Sequence, residues 1–319
     1  MIDLKNFRQQ WENTRRVERG YTRVDVKSPE CYIGYNAELN LSLIIISNYM
    51  TKKFQASKSV QILRGRRDDG RFQLEMNLLD ENLSDVFLRM CYDLLNCSAD
   101  LSNEKVALKK LAQRYLQWQN LFEGGKCGLL SSQEQRGLIG ELLFLRSQII
   151  EVRRPLSETI YGWYGPLNEH QDFSYSDKWY EIKTVIEQAE KIQIASMDQL
   201  SRSDAGELVI YRLAKTSGNA DEFDLNKFTL NCLVRNLFDL LGEDFSAGQE
   251  FESRLFQAGY IEREEYDEQS YKLTETMKFP VNDDFPRLLK KNLPSAILSA
   301  TYFLDIRELK LSEGAHHGL

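Results

Sequence analysis

The sequence predicts a chain of the α/β class, α+β over its whole length, with strands gathered in the first hundred residues and a compact helix–strand unit behind them. Three observations carry that expectation. Segments such as Tyr21-Thr22-Arg23-Val24-Asp25-Val26 alternate at the strand period. Ser131 and Glu134 have the spacing of a capping box and precede the largely apolar run Leu138 to Leu145. After that run, short segments follow in the order three strands, helix, strand.

From the N-terminus, Leu4 to Arg16 has the spacing of a short amphipathic helix. Strands are expected at Tyr21 to Val26, Ala37 to Leu41, Val60 to Leu63 and Phe72 to Met76. The last two flank Arg64 to Arg71, where Asp68-Asp69-Gly70 supplies a hairpin turn. Leu83 to Leu95 reads as a helix, as does a segment capped by Ser102, running through Leu121 and ended by Gly124-Gly125. The helix opened by Ser131 continues to about Ile150. Strands are then expected at Glu158 to Trp163, Asp172 to Tyr175 and Trp179 to Val185, a turn or helix over Ala195 to Arg202, and a strand at Leu208 to Tyr211. Past Thr216-Ser217-Gly218-Asn219 come helices at Leu225 to Leu241 and Phe245 to Ala258. Strands at Tyr271 to Phe279 and Ser299 to Asp305 follow, separated by a short helix around Phe285 to Lys291. The layout divides into a β-rich N-terminal domain with flanking helices (1–125), an α/β core (126–215) and a mixed C-terminal domain (216–319).

Composition narrows the class of function. At 319 residues, with 42% hydrophobic and 28% charged residues, the chain has room for more than one core. The longest apolar run, Leu41 to Ile46, is strand-sized, and Met1-Ile2-Asp3-Leu4-Lys5 lacks the basic-then-apolar layout of a secretion signal. A cytoplasmic protein with no membrane partner is therefore expected. Five scattered cysteines without a C-x-x-C pair argue against a disulfide framework or a zinc knuckle, and three histidines are few for metal–histidine chemistry. A net charge of −7 argues against a general nucleic-acid sponge. It does not exclude a nuclease, which needs only a local basic surface and acids for a metal.

Chemistry concentrates in Asp172 and, nine positions later, Glu181-Ile182-Lys183. Two carboxylates can hold a divalent metal, and an ammonium beside them can orient water or meet charge developing on phosphate. Period two puts Trp179, Glu181 and Lys183 on one strand face, with Tyr180 and Ile182 on the other. For the motif alone, a solvated strand face with an ion pair worth under about 1 kcal/mol is the favoured reading. Glu141 shifts that balance. It stands at the border of the Leu138, Leu142, Leu145, Ile149 stripe, in a helix apolar over most of its circumference. A buried carboxylate there is costly unless it meets a metal or Lys183. Gly137 and Gly140 each cost that helix about 1 kcal/mol, which close packing on a sheet would explain.

Glu141, Asp172 and Glu181-x-Lys183, in that order, resemble the PD-(D/E)XK nuclease superfamily with its restriction-endonuclease-like fold. More narrowly, Gly137-Leu138-Ile139-Gly140-Glu141-Leu142, Trp163-Tyr164-Gly165-Pro166, His170-x-Asp172-Phe173 and Trp179-Tyr180-Glu181-Ile182-Lys183-Thr184 are similar to a bacterial PD-(D/E)XK family. Members of that family tend to be linked with phage-defence and restriction-type gene clusters. The similarity is strongest from Ser131 to Leu213, and one departure is Gln171 in place of the motif proline. The resemblance implies an αβββαβ core in which Asp172, Glu181 and the Ile182 carbonyl ligate Mg2+ (or Mn2+), with Glu141 completing or water-bridging the coordination. Lys183 would orient the attacking water or stabilise the charged transition state. It further implies DNA as substrate, cleaved to 5′-phosphate and 3′-hydroxyl ends. A homodimer and partner proteins of a defence system are compatible assemblies.

Other residues are candidates for nucleic-acid contact. By resemblance, Gln199 falls where related nucleases place a polar helix residue; an ordinary exposed glutamine is the competing reading. His170 is a candidate phosphate contact or acid, or else a loop histidine bonded to backbone. Trp163 and Tyr164 either meet DNA or pack in the core or a turn. Arg64, Arg66 and Arg67, with Arg71, sit at a hairpin tip that could grip phosphates, although Asp68 and Asp69 dilute it toward a solvated loop. Gly124-Gly125-Lys126-Cys127 lacks the spacing and hydroxyl of a P-loop. The leading expectation is a metal-dependent DNA endonuclease. The alternatives are a non-cleaving member that binds DNA or a partner in a defence complex, and a pure interaction protein if Glu141 lies far from Asp172 and Glu181.

Overall fold

A computed structural model of the chain describes residues 4–15, 20–50, 54–123, 129–167, 169–218, 220 and 222–316. Met1, Ile2, Asp3, Arg16, Gly124, Gly125, Lys126, Cys127 and Asn219, singled out above, lie outside the described residues. The chain divides into two compact units, 1–129 and 130–319. Among the described residues no helix is long and apolar enough to cross a membrane.

The first unit contains α1 (Leu4–Arg15), strands β1 (Tyr21–Val24), β2 (Glu30–Tyr35), β3 (Leu41–Ser47), β4 (Val60–Arg66) and β5 (Phe72–Leu78), then α2 (Ser84–Ser98) and α3 (Glu104–Glu123). The strands form one antiparallel sheet in the order β1-β2-β3-β5-β4. Ala37 to Leu41, expected as a strand, is mostly a turn. Asn36 Oδ1 accepts the N–H groups of Glu38 (3.0 Å) and Asn40 (2.9 Å), and Leu39 takes a left-handed φ of 63°. A short polar side chain thus offers the backbone local bonds in place of a ladder, and pairing begins at Leu41. The cap of α3 is likewise one residue later than expected. Asn103 Oδ1, not Ser102, accepts the N–H groups of Lys105 (3.1 Å) and Val106 (3.2 Å).

The second unit opens with α4 (Ser132–Ser147). Its capping box is complete, with Glu134 N–H on Ser131 Oγ (3.3 Å) and Ser131 N–H on Glu134 Oε2 (2.8 Å). A π-helical turn, Gln148–Val152, continues it and ends at Arg153, which has φ 57°. Then follow α5 (Leu156–Tyr161), β6 (Phe173–Ser174), β7 (Trp179–Ile186), β8 (Lys191–Ile194), a 3-10 turn at Met197–Leu200 and β9 (Gly206–Thr216). After them come α6 (Leu230–Leu241), α7 (Phe245–Gln257), β10 (Ser270–Val281), β11 (Tyr302–Asp305) and α8 (Ile306–His316). Where a strand was expected over Glu158 to Trp163, the chain is helical as far as Tyr161. Pro155 presets the entry to α5, Thr159 N–H returns to the Pro155 carbonyl at 2.9 Å, and Trp163 alone bridges to Phe173. The short helix expected around Phe285 to Lys291 is a 3-10 turn at Lys290–Asn292.

The main sheet runs β10-β9-β7-β6, with β7 and β9 parallel and the other neighbours antiparallel. β8 and β11 form a separate pair. Since β10 pairs along the length of β9, this sheet continues across residue 215. The faces of β7 divide at period two. Tyr180 and Ile182 join a core with Leu142, Phe144 and Phe173, while Trp179 and Val185 join one with Ile192, Leu208, Ile210 and Phe279. Gly140 lets α4 seat on β7: a Cβ there would overlap Thr184 Oγ1 and come within 3.3 Å of Ile182 Cγ2.

Candidate active site

The register of β6 against β7 explains the nine-residue spacing of the acids. Phe173 pairs with Tyr180; continued by one residue, the same register sets Asp172 opposite Glu181. Asp172 Oδ2 accepts the Ile182 N–H at 2.8 Å, which ties the acid to the middle of β7. On the strand, Lys183 Nζ donates to Glu181 Oε1 at 2.6 Å, and the Glu181 side chain is fully buried. Glu141 comes in from α4. Its Oε2 accepts the Trp163 indole N–H at 2.6 Å. The turn after Trp163 wraps Asp172: the N–H groups of Tyr164 (2.8 Å) and Gly165 (2.9 Å) both donate to its carbonyl. Gly165 lies against both acids, for a Cβ there would stand 2.5 Å from Glu141 Oε2 and 3.2 Å from Asp172 Oδ1.

These four side chains feel one another. Burial pushes the Glu141 carboxyl well above the usual range and the charges of Asp172 and Glu181 add to it, against the Trp163 indole and Lys183. Burial raises Asp172 as well, opposed by Lys183 and the Ile182 N–H. Glu181 is pushed up to about 8, first by burial and then by Asp172, with Lys183 pulling the other way. Burial would lower Lys183, but Glu181, Asp172 and Glu141 outweigh it and hold the ammonium above its ordinary value. One buried acid, Glu181, and two half-buried ones, Glu141 and Asp172, face one cation, a balance that favours a further positive charge.

The donor set fits a hard divalent cation. One oxygen of each acid is engaged: Glu141 Oε2 by Trp163, Asp172 Oδ2 by Ile182 and Glu181 Oε1 by Lys183. Glu181 Oε2 is buried and has no hydrogen-bond partner, an uncommon condition for a carboxylate oxygen. Oxygen donors of this kind suit Mg2+ or Mn2+. The described residues hold no preformed cluster of three His, Cys, Asp or Glu in metal-holding geometry. The fit therefore lies in donor chemistry and an unpaired buried oxygen, not in a ready-made cage.

The other expected site residues divide. Gln199, on the 3-10 turn after β8, reaches the cluster: its Oε1 lies 3.5 Å from Lys183 Nζ and accepts the Ala195 N–H at 2.8 Å. His170 is exposed in the bend before Asp172. Trp163 is buried in the core; Tyr164 is half-buried, with the Arg254 guanidinium 5.7 Å from its ring centre. Arg64, Arg66 and Arg67 are exposed and belong to the first unit. Arg67 pairs with Asp69 (3.3 Å), and Arg71 pairs with Asp69 (2.9 Å) and Glu30 (2.6 Å), so Asp69, one of the two aspartates named above, offsets part of the charge at the tip.

Three contributors were not anticipated. Gln171, at the position of the motif proline, donates to the carbonyls of Asp198 (2.8 Å) and Gln199 (3.3 Å), tying the Asp172 loop to the turn that carries Gln199. The Trp163 indole holds Glu141, and buried Arg254 of α7 donates to the Trp163 carbonyl. Trp163 and Gly165 stood in a recognisable run of residues, whereas Arg254 carries no local signal.

A family model described as "Putative PD-(D/E)XK family member, (DUF4420)" matches residues 7–307. No curated protein and no solved structure matches the chain.

Proposed function

The chain belongs to this PD-(D/E)XK family, and from that premise we propose that it is a metal-dependent DNA endonuclease that hydrolyses phosphodiester bonds, working in a restriction or phage-defence system. The observation that carries this reading is the gathering of Glu141, Asp172, Glu181 and Lys183 into one partly buried cluster with an unpaired, fully buried oxygen on Glu181. A structural salt bridge has no use for three acids per cation, since each unpaired buried charge destabilises the fold. Asp172 and Glu181, with the Ile182 carbonyl, would hold Mg2+ or Mn2+, and Glu141 would complete or water-bridge the set. Such an ion, when bound, would supply Lewis-acid polarisation of the phosphate and make a nearby water more acidic.

The chain's own groups account for the remaining steps. Lys183, kept charged by the surrounding acids, offers N–H groups to the attacking water or to a phosphoryl oxygen that gains charge in the transition state. Gln199 Oε1 and Glu181 Oε1 flank its ammonium and hold it in place. The turn of Trp163, Tyr164 and Gly165 holds Glu141 through its indole and Asp172 through its backbone N–H groups.

Plasmid incubated with the purified protein tests this. We expect nicking or linearisation with Mg2+, none in EDTA, and a loss of at least about 100-fold for Lys183→Ala, the scale of removing one transition-state donor. Asp172→Ala should lose as much, with the fold retained by circular dichroism. Cleavage at wild-type rate by either variant, or no cleavage of any DNA form by the wild type with Mg2+ or Mn2+, would sink the assignment.

A further inference from the structure

Trp163 is not among the charged groups of the site, yet its indole N–H donates to Glu141 Oε2 at 2.6 Å. We propose that Trp163 is a positioning residue for Glu141, clamped from behind by Arg254, and that it determines which oxygen of that carboxylate is left for the metal or its water. This inference rests on the metal-site reading above.

The geometry gives three reasons. An indole has one N–H donor and no acceptor, so the 2.6 Å bond engages Glu141 Oε2 and sets the orientation in which the carboxylate presents Oε1. The indole itself has little room to move. It is fully buried, lies nearly parallel to Phe173 (12° between planes, centres 6.4 Å apart) and packs against Phe251 at 5.9 Å. Its backbone is fixed as well, because the Trp163 carbonyl accepts from Arg254, which is buried and paired with Glu250 at 2.6 Å on the same helix.

Gly165 bounds the same oxygen from another side. Its φ lies outside the left-handed region, so alanine is allowed by the backbone there, but the added Cβ would stand 2.5 Å from Glu141 Oε2 and force the carboxylate off its seat. Groups that orient metal-ligating carboxylates typically change metal affinity by about 10–100-fold when removed. A Trp163 that merely fills the core would be replaced adequately by phenylalanine, and the metal would not register the change.

The test is the Mg2+ concentration giving half of the maximal thermal stabilisation, read for the full chain as wild type, Trp163→Phe, Gly165→Ala, Glu141→Ala and the Trp163→Phe/Glu141→Ala double variant. We expect the midpoint to rise about 10-fold or more in both Trp163→Phe and Gly165→Ala, and Trp163→Phe to add nothing once Glu141 is gone. An unchanged midpoint in Trp163→Phe, or an equal further rise in the double variant, overturns the positioning role while leaving the metal site standing. Absence of any Mg2+-dependent shift in the wild type overturns the metal-site reading and this inference with it. If Trp163→Phe loses its cooperative melt without metal, Gly165→Ala decides alone, and an unchanged midpoint there overturns the proposal.

Discussion

Glu181 is the residue on which stability and chemistry pull in opposite directions. It is fully buried, with one oxygen on Lys183 and the other unpaired. Its carboxyl lies near 8 instead of 4.5, so the folded state binds a proton that the unfolded chain releases at a lower pH. The direction of linkage follows: this group's contribution is full below about pH 4.5, shrinks as pH rises and is lost once pH passes about 8. Metal-free protein in EDTA should therefore melt at progressively lower temperature across that window and level off above it. Each 1 kcal/mol lost lowers Tm by about 2–4 °C in a unit of this size. Stabilisation by Mg2+ should grow over the same window, because an ion must displace the proton that the cluster holds. Glu181→Gln should flatten the metal-free slope while abolishing cleavage. A wild-type Tm in EDTA that stays level from pH 5 to 9, or rises, would contradict the burial of this acid.

At the scale of elements, α4 on β7 shows which parts of the site were legible in the sequence. The capping box and apolar circumference defined the helix, and period two assigned Glu181 and Lys183 to the face opposite Tyr180 and Ile182, because those patterns are local. The two glycines of α4 looked alike and are not. At Gly140 a Cβ would overlap Thr184 Oγ1, so Gly140→Ala should destabilise by about 1–3 kcal/mol despite its better helix propensity. At Gly137 a Cβ meets nothing within 4 Å, and Gly137→Ala should stabilise by up to about 1 kcal/mol. Urea melts of both variants decide it: effects of the same sign would mean that Gly140 is not the contact that seats the helix. What the sequence did not reveal depends on distant partners or on rival local bonds. Glu158 to Trp163 has strand-like composition, but Pro155 and its carbonyl start a helical turn. Asn36 and Asn103 redirect backbone bonds that periodicity assigns elsewhere. Trp163 meets Glu141, and Arg254 meets Trp163, only once α5 and α7 have packed.

For the whole molecule, the question is how much chain the site needs in order to exist. The segment 126–215 contains all four charged residues, but their support extends well beyond it. The core beneath Glu141 includes Leu233, Leu237, Phe251, Leu255 and Tyr271. At about 1.5–3 kcal/mol for each buried side chain, these five already match the net stability of an entire domain, about 5–15 kcal/mol. Without β10, the long strand β9 would also expose an unpaired edge with Leu208 and Ile210 beside it. A fragment of residues 126–215 should therefore show no cooperative melt, whereas residues 130–319 should fold alone and keep the Mg2+-dependent shift of the full chain. Both outcomes can be read from circular dichroism melts with and without Mg2+. Cooperative folding of the short fragment would mean that the C-terminal elements are an addition to a self-sufficient core. Failure of the long fragment would mean that the first unit is needed to complete the fold around the site.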